Sequence, residues 1–166
     1  MAGRDGIVVC PGSYDPVTNG HLDIITRSSE VFERVVVGIV NNPMRKDRTL
    51  FTADERKDLI EEATAGLANV EARIFSNLLV EFARELGAKA IVKGLRAISD
   101  FEYEFEMAQL NRKLDPEIES IYMIASPQYS FLSSTGVKEM ATFGGDVSDL
   151  VPAPVAAAMT DRLGDR

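Results

Sequence analysis

A chain of 166 residues with 45% hydrophobic residues and a mean hydropathy near zero has the size and composition of one soluble globular domain with its own core. Its formal net charge of −8, from 18 basic and 26 acidic residues, excludes a nucleic-acid binder working by counterion release but not a binder of small anions, which respond to the local field of a cleft. One cysteine and one histidine exclude a disulfide framework and a multi-cysteine zinc site; residues 1–6 lack a signal-peptide layout and no apolar run approaches membrane-spanning length, so the cytoplasm is the expected compartment.

In chain order, the apolar run 7–10 predicts a first strand. It runs into Pro-Gly-Ser-Tyr-Asp-Pro-Val-Thr-Asn-Gly-His (11–21) and then into helical spacing at Leu22, Ile25, Ser29 and Phe32. Asn19 is the expected N-cap, which puts His21 in the first turn of that helix, beside unpaired N–H groups that attract phosphate. Residues 34–40 predict a second strand, followed by a polar loop carrying Arg45 and Lys46. Thr52-Ala53-Asp54-Glu55 is a capping box, and the helix it opens turns Leu59, Ile60 and Ala63 inward. Residues 70–75 predict a third strand, and residues 78–86 a helix ended by Gly87. Residues 90–93 predict a fourth strand, leading into Gly94-Leu95-Arg96. Ser99-Asp100-Phe101-Glu102 reads as a second capping box. The helix behind it carries two apolar rows (Phe101, Phe105, Ala108 and Tyr103, Met107, Leu110, Leu114), which implies burial against the sheet and against another subunit. A fifth strand is expected over 118–125 and two last helices over 135–142 and 155–163.

This alternation predicts an α/β fold: a doubly wound, parallel, five-stranded sheet with helices on both faces, in a single domain spanning 1–166. Such sheets bind ligands beyond the carboxyl ends of their strands, and the unusual polar clusters of this chain all follow strands. Arg45, Lys46, Lys93, Arg96 and Lys138 would ring a polyphosphate pocket there. Ser133-Ser134-Thr135 offers hydroxyls at a helix start, one of them a cap. Glu104 could hold a ribose hydroxyl or orient a cation, or simply face solvent. Cys10 is expected to be a buried, inert thiol. No P-loop, dinucleotide fingerprint or covalent nucleophile is legible, so the site suits the positioning of two anionic reactants.

Three stretches also resemble a known family. Thr18-Asn19-Gly20-His21 is similar to the [HT]-x-G-H signature of the nucleotidyltransferase superfamily, and the whole of 11–21 closely resembles the opening motif of phosphopantetheine adenylyltransferases. Residues 91–104 (Ile-Val-Lys-Gly-Leu-Arg-Ala-Ile-Ser-Asp-Phe-Glu-Tyr-Glu) and 129–139 (Tyr-Ser-Phe-Leu-Ser-Ser-Thr-Gly-Val-Lys-Glu) resemble its second and third motifs. The resemblance implies a cytoplasmic homohexamer that uses ATP, 4′-phosphopantetheine and Mg²⁺ to make dephospho-coenzyme A and pyrophosphate, with no nucleic-acid or membrane partner. It implies that His21, Lys46 and Arg96 are catalytic. It implies ATP contacts from Ser13, Tyr14, His21, Gly94, Leu95, Arg96, Glu104, Tyr129, Ser130, Phe131, Leu132, Ser133, Ser134 and Thr135. It implies phosphopantetheine contacts from Ser13, Leu79, Lys93 and either Arg45 or Lys46; it assigns no metal ligand. Ser13 stands where threonine is frequent, Lys93 where arginine is, and Arg45 where lysine is. A sister enzyme with another phosphorylated acceptor and a non-catalytic nucleotide sensor are the rival expectations.

Overall fold

The computed structural model describes residues 6–42, 44 and 48–164. β1 (Ile7–Gly12), β2 (Arg34–Val40), β3 (Val70–Phe75), β4 (Ala90–Leu95) and β5 (Glu119–Ile124) pair in parallel in the order β3-β2-β1-β4-β5. The register sets Val8 between Val35 on β2 and Ala90 on β4. All five expected strands are present; β1 and β4 run on through Gly12 and Leu95, so parts of the expected ligand loops are strand ends.

Alternate residues of each strand serve different faces. Val8, Cys10, Val35, Val37 and Val92 join a core closed by α1 (Asn19–Val31), α2 (Ala53–Ala63), α5 (Ser134–Thr142) and α6 (Ala153–Leu163). Val9, Val36 and Ile91 join a second core under α3 (Leu79–Glu85). The valines at 8, 9, 35, 36 and 37 are at most 1% exposed, and each such side chain contributes about 1.5–3 kcal/mol on burial. Gly38 belongs in β2 because a Cβ there would lie 3.0 Å from Phe82 and 3.2 Å from Phe75, which stack at 4.5 Å. No described helix is long and apolar enough to cross a membrane.

Three expectations need correction. The N-cap of α1 is Thr18, and Asn19 is already helical; its N–H and side-chain amide donate instead to the carbonyls of Leu150 and Asp149. α4 (Ile98–Leu114) begins ahead of the expected Ser99 box, with Ala97 at the N-cap and no side-chain cap. Its apolar rows are not buried within the chain: Phe101, Tyr103, Phe105, Leu110 and Leu114 are each about half exposed or more. The spacing identified the apolar rows, but the sheet does not cover them.

Candidate active site

β1 and β4 are neighbours in the sheet while their following helices wind in opposite directions, so a crevice opens at their carboxyl ends. Two cavities occupy it, of about 290 Å³ and about 950 Å³, and they share Pro11, Gly12 and Lys93 in their walls.

The smaller cavity is organised by His21. Thr18 at the N-cap accepts the His21 N–H through Oγ1 at 3.3 Å, and the Thr18 N–H donates to Nδ1 of the ring at 3.0 Å. A backbone N–H can only donate, so Nδ1 presents its lone pair and a neutral ring carries its proton on Nε2. Burial, and then the charge of Arg96, push the imidazole down to about 4. His21 at neutral pH is therefore an uncharged hydrogen-bond donor in the wall of a cavity at a helix N-terminus. Tyr14 supports it from behind. Its ring meets the imidazole edge-on at 5.0 Å, and its hydroxyl donates to the Cys10 carbonyl at 2.8 Å. Tyr14 takes a left-handed backbone with φ of 50°, and a Cβ on Gly12 would press on its ring at 3.0 Å.

Across the crevice, Arg96 is held by its own neighbours. Its guanidinium donates to the Leu132 carbonyl at 2.6 Å and to Asp100 at 3.2 Å, and its backbone N–H also donates to Asp100. Lys93 pairs with Glu104 at 2.7 Å, while the other carboxylate oxygen of Glu104 is buried without a hydrogen-bond partner. Gly94 keeps the end of β4 flat on α1, since a Cβ there would come within 3.0 Å of Ile24. Ser133 caps α5 by accepting the Gly136 N–H, and Ser134 donates to the Pro16 carbonyl. The capping role expected of one of the three hydroxyls thus falls to Ser133.

Of the expected nucleotide residues, Tyr14, His21, Gly94, Arg96, Glu104, Tyr129, Leu132, Ser133 and Ser134 face the smaller cavity. Leu95, Ser130, Phe131 and Thr135 line neither cavity; Phe131 is 71% exposed, and the Ser130 hydroxyl donates to Pro127. Ser13, Leu79 and Lys93 meet in the larger cavity. Arg45 and Lys46 lie outside the described residues. Lys138, expected to face phosphate, instead pairs with Asp15 at 2.9 Å. Cys10 is buried, with its thiol pushed up to about 12, as befits an inert core residue.

Arg56 lies outside the expected motifs yet lines the larger cavity. It is 4% exposed, and its guanidinium donates to the carbonyls of Ser13 at 2.6 Å, Val40 at 3.1 Å and Thr52 at 3.3 Å. It fastens the turn after β1 to the end of β2. Its signal was present, because Arg56 shares a helical face with Ile60 and Ala63. Among the described residues no group of three or more His, Cys, Asp or Glu side chains could hold a metal ion.

Comparison with known proteins agrees with this geometry. The cytidylyltransferase-like family model matches residues 9–140. The phosphopantetheine adenylyltransferase of Heliobacterium modesticaldum is 51% identical over 159 residues, covering 96% of this chain and 94% of that protein. That of Clostridium tetani is 56% identical over 146 residues, covering 88% and 90%. A crystal structure of a bifunctional NMN adenylyltransferase/ADP ribose pyrophosphatase from Francisella tularensis shares the fold at a TM-score of 0.64 and 18% identity; 94% of this chain spans half of that one. The chain belongs to the cytidylyltransferase-like family and, within it, to the phosphopantetheine adenylyltransferases.

Proposed function

We propose that the protein transfers the adenylyl group of ATP to 4′-phosphopantetheine, giving dephospho-coenzyme A and pyrophosphate. The observation that carries this reading is the pair of cavities joined at Pro11, Gly12 and Lys93, with neutral His21 in the wall of one of them. The smaller takes the nucleotide, against Gly94, Arg96 and the start of α5. The larger takes the acceptor: Ser13 and Lys93 suit its phosphate, while Phe75, Leu78, Leu79, Tyr103 and Met107 suit an extended apolar arm and Asn41, Asn42 and Asn77 its amides.

An oxygen of the acceptor phosphate attacks the α-phosphorus of ATP; a P–O bond forms to the acceptor, and the bond to the β-phosphate breaks with its electrons leaving on pyrophosphate. No side chain is adenylylated on the way. His21 donates from Nε2 to a phosphate oxygen as charge builds, and the fixed guanidinium of Arg96 adds charge without reorganising. Lys46 or Arg45 would supply a further cation. Mg²⁺ is read as part of the Mg·ATP substrate, an ion held chiefly by phosphate and water oxygens, with Asp100 and Glu104 the carboxylates that line the smaller cavity. We place this one-domain protein in the cytoplasm as a homohexamer; the half-exposed apolar side chains of α4 support self-association.

Pyrophosphate release, measured with ATP or CTP against a panel of phosphorylated acceptors, tests the proposal. ATP with 4′-phosphopantetheine should give the highest kcat/KM by orders of magnitude. Preference for nicotinamide mononucleotide or a polyol phosphate, or ATP binding with no release for any acceptor, would overturn it.

A further inference from the structure

Asp15 sits on none of the surfaces described so far, yet it touches the elements that build both cavities. It is 4% exposed. Its Oδ1 accepts the Phe51 N–H at 2.9 Å, and its Oδ2 accepts the Leu50 N–H and the Lys138 ammonium, each also at 2.9 Å. Leu50 lines the larger cavity. Lys138 lies one helical turn after Ser134, which lines the smaller cavity and donates to the Pro16 carbonyl. A single carboxylate in the turn after β1 therefore binds the segment bordering the acceptor cavity on one side and the helix bordering the nucleotide cavity on the other. The acceptor segment is gripped from outside as well: Arg162 of α6 donates to the Leu50 carbonyl and lies 5.3 Å over the Phe51 ring.

Asp15 is a buried carboxylate with three direct donors, of which Lys138 is the charged one, and the Arg56 guanidinium is within electrostatic reach; loss of any direct donor leaves a buried oxygen short of a partner, which couples the three contacts. Lys138 is the more exposed member of the pair. Its side chain is 30% exposed against 5% for Asp15, and it projects from the helix whose N-terminus borders the nucleotide cavity.

We propose that Asp15, with Lys138 as its counter-ion, is a positioning residue that sets the acceptor cavity according to occupancy of the nucleotide cavity. Triphosphate at the start of α5 fixes that helix; Lys138 holds Asp15, and Asp15 holds Leu50 and Phe51 in the acceptor-binding geometry. Lys138 on this account is not a phosphate ligand. The inference rests on the adenylyltransferase reading above.

Calorimetric titration of full-length protein with 4′-phosphopantetheine, in the absence and presence of an α,β-methylene ATP analogue, tests it in wild type, Asp15→Asn and Lys138→Met. In wild type the analogue should tighten acceptor binding by a factor on the order of tenfold. In Asp15→Asn the amide nitrogen would face either the Phe51 N–H or the Leu50 N–H and Lys138 together, donor against donor in both orientations; Lys138→Met keeps the length of the side chain and removes the charge. Both should bring the factor close to one, with the affinity of Lys138→Met for the analogue alone nearly unchanged. If Asp15→Asn does not fold, Lys138→Met carries the test. Coupling absent in wild type, coupling retained in a folded variant, or a Lys138→Met loss confined to analogue affinity would overturn the proposal. Wild type that fails to bind 4′-phosphopantetheine at all would instead overturn the functional reading, and this inference with it.

Discussion

α1 and α2 both open on a threonine whose hydroxyl accepts the N–H three residues on, and in both the side chain at that third position reaches back to the threonine N–H. At α2 the third residue is Glu55, accepting at 2.8 Å; at α1 it is His21, accepting through Nδ1 at 3.0 Å. The difference lies in what remains. Asp54 and Glu55 bring acidic charge to the first turn of α2, so that helix, which borders the larger cavity, answers its own positive end. The first turn of α1 carries no acidic residue, and it lines a cavity. A carboxylate in the box is an acceptor and nothing more, whereas an imidazole accepts on one nitrogen and donates on the other. The same cap is thus complete at α2 and open to an anion at α1.

The strongest way to break this comparison is to remove the second nitrogen. His21→Ala should lower kcat on the order of 10²- to 10³-fold while changing ATP affinity only a few-fold, because the donor acts on charge that develops in the transition state. Steady-state kinetics beside calorimetric ATP binding would check it. Equal losses in both would make His21 a binding residue. Thermal stability should fall by about 1 kcal/mol, since the reach-back to Thr18 is lost too.

A smaller effect is expected from giving α1 the chemistry of α2. Gly20 stands where Asp54 stands, and a Cβ there would meet nothing nearer than 3.5 Å. Gly20→Asp should therefore fold, with stability equal to wild type or slightly higher. Its ATP affinity should fall roughly tenfold as the new carboxylate takes the place of the anion. Unchanged affinity would mean that the start of α1 does not meet phosphate.

The contrast also explains how much the sequence disclosed. The box at Thr52 was legible because glutamate at the third position is its signature; the box at Thr18 was not, because histidine is outside that signature, and Asn19 looked the better cap. The sheet was legible because valine-rich runs such as 34–40 cannot be satisfied by one buried face. A crevice beyond the carboxyl ends of the strands was expected from where polar clusters fall relative to them, and it opens between β1 and β4. What stayed hidden were partnerships across the chain. Lys138 looked like a free cation because Asp15, its partner, is 123 residues away, and the partners of Arg56 were not legible because the Ser13 and Val40 carbonyls belong to other elements. The apolar rows of α4 predicted burial against the sheet, which the chain does not supply: Phe101, Tyr103 and Phe105 are each at least half exposed.

The mildest intervention is at α2 itself. Glu55→Ala should cost about 1 kcal/mol, a drop of roughly 2–4 °C in Tm, and leave kcat and ATP affinity unchanged. Acid titration of stability separates the two boxes further. Burial, chiefly, holds His21 at about 4 against an ordinary 6.5, so between those values the unfolded chain binds a proton that the folded chain refuses. The His21 contribution is whole above pH 6.5 and is lost as the pH falls toward 4. The Glu55 carboxylate is held below its ordinary 4.5, first by the Thr52 N–H, so its contribution is whole above pH 4.5 and is lost as the pH falls below that. The slope of Tm against pH between 6.5 and 4 should accordingly flatten in His21→Ala and persist in Glu55→Ala. A slope that instead vanished in Glu55→Ala would mean that the two caps differ in sequence alone, and that the imidazole is not held neutral by its surroundings.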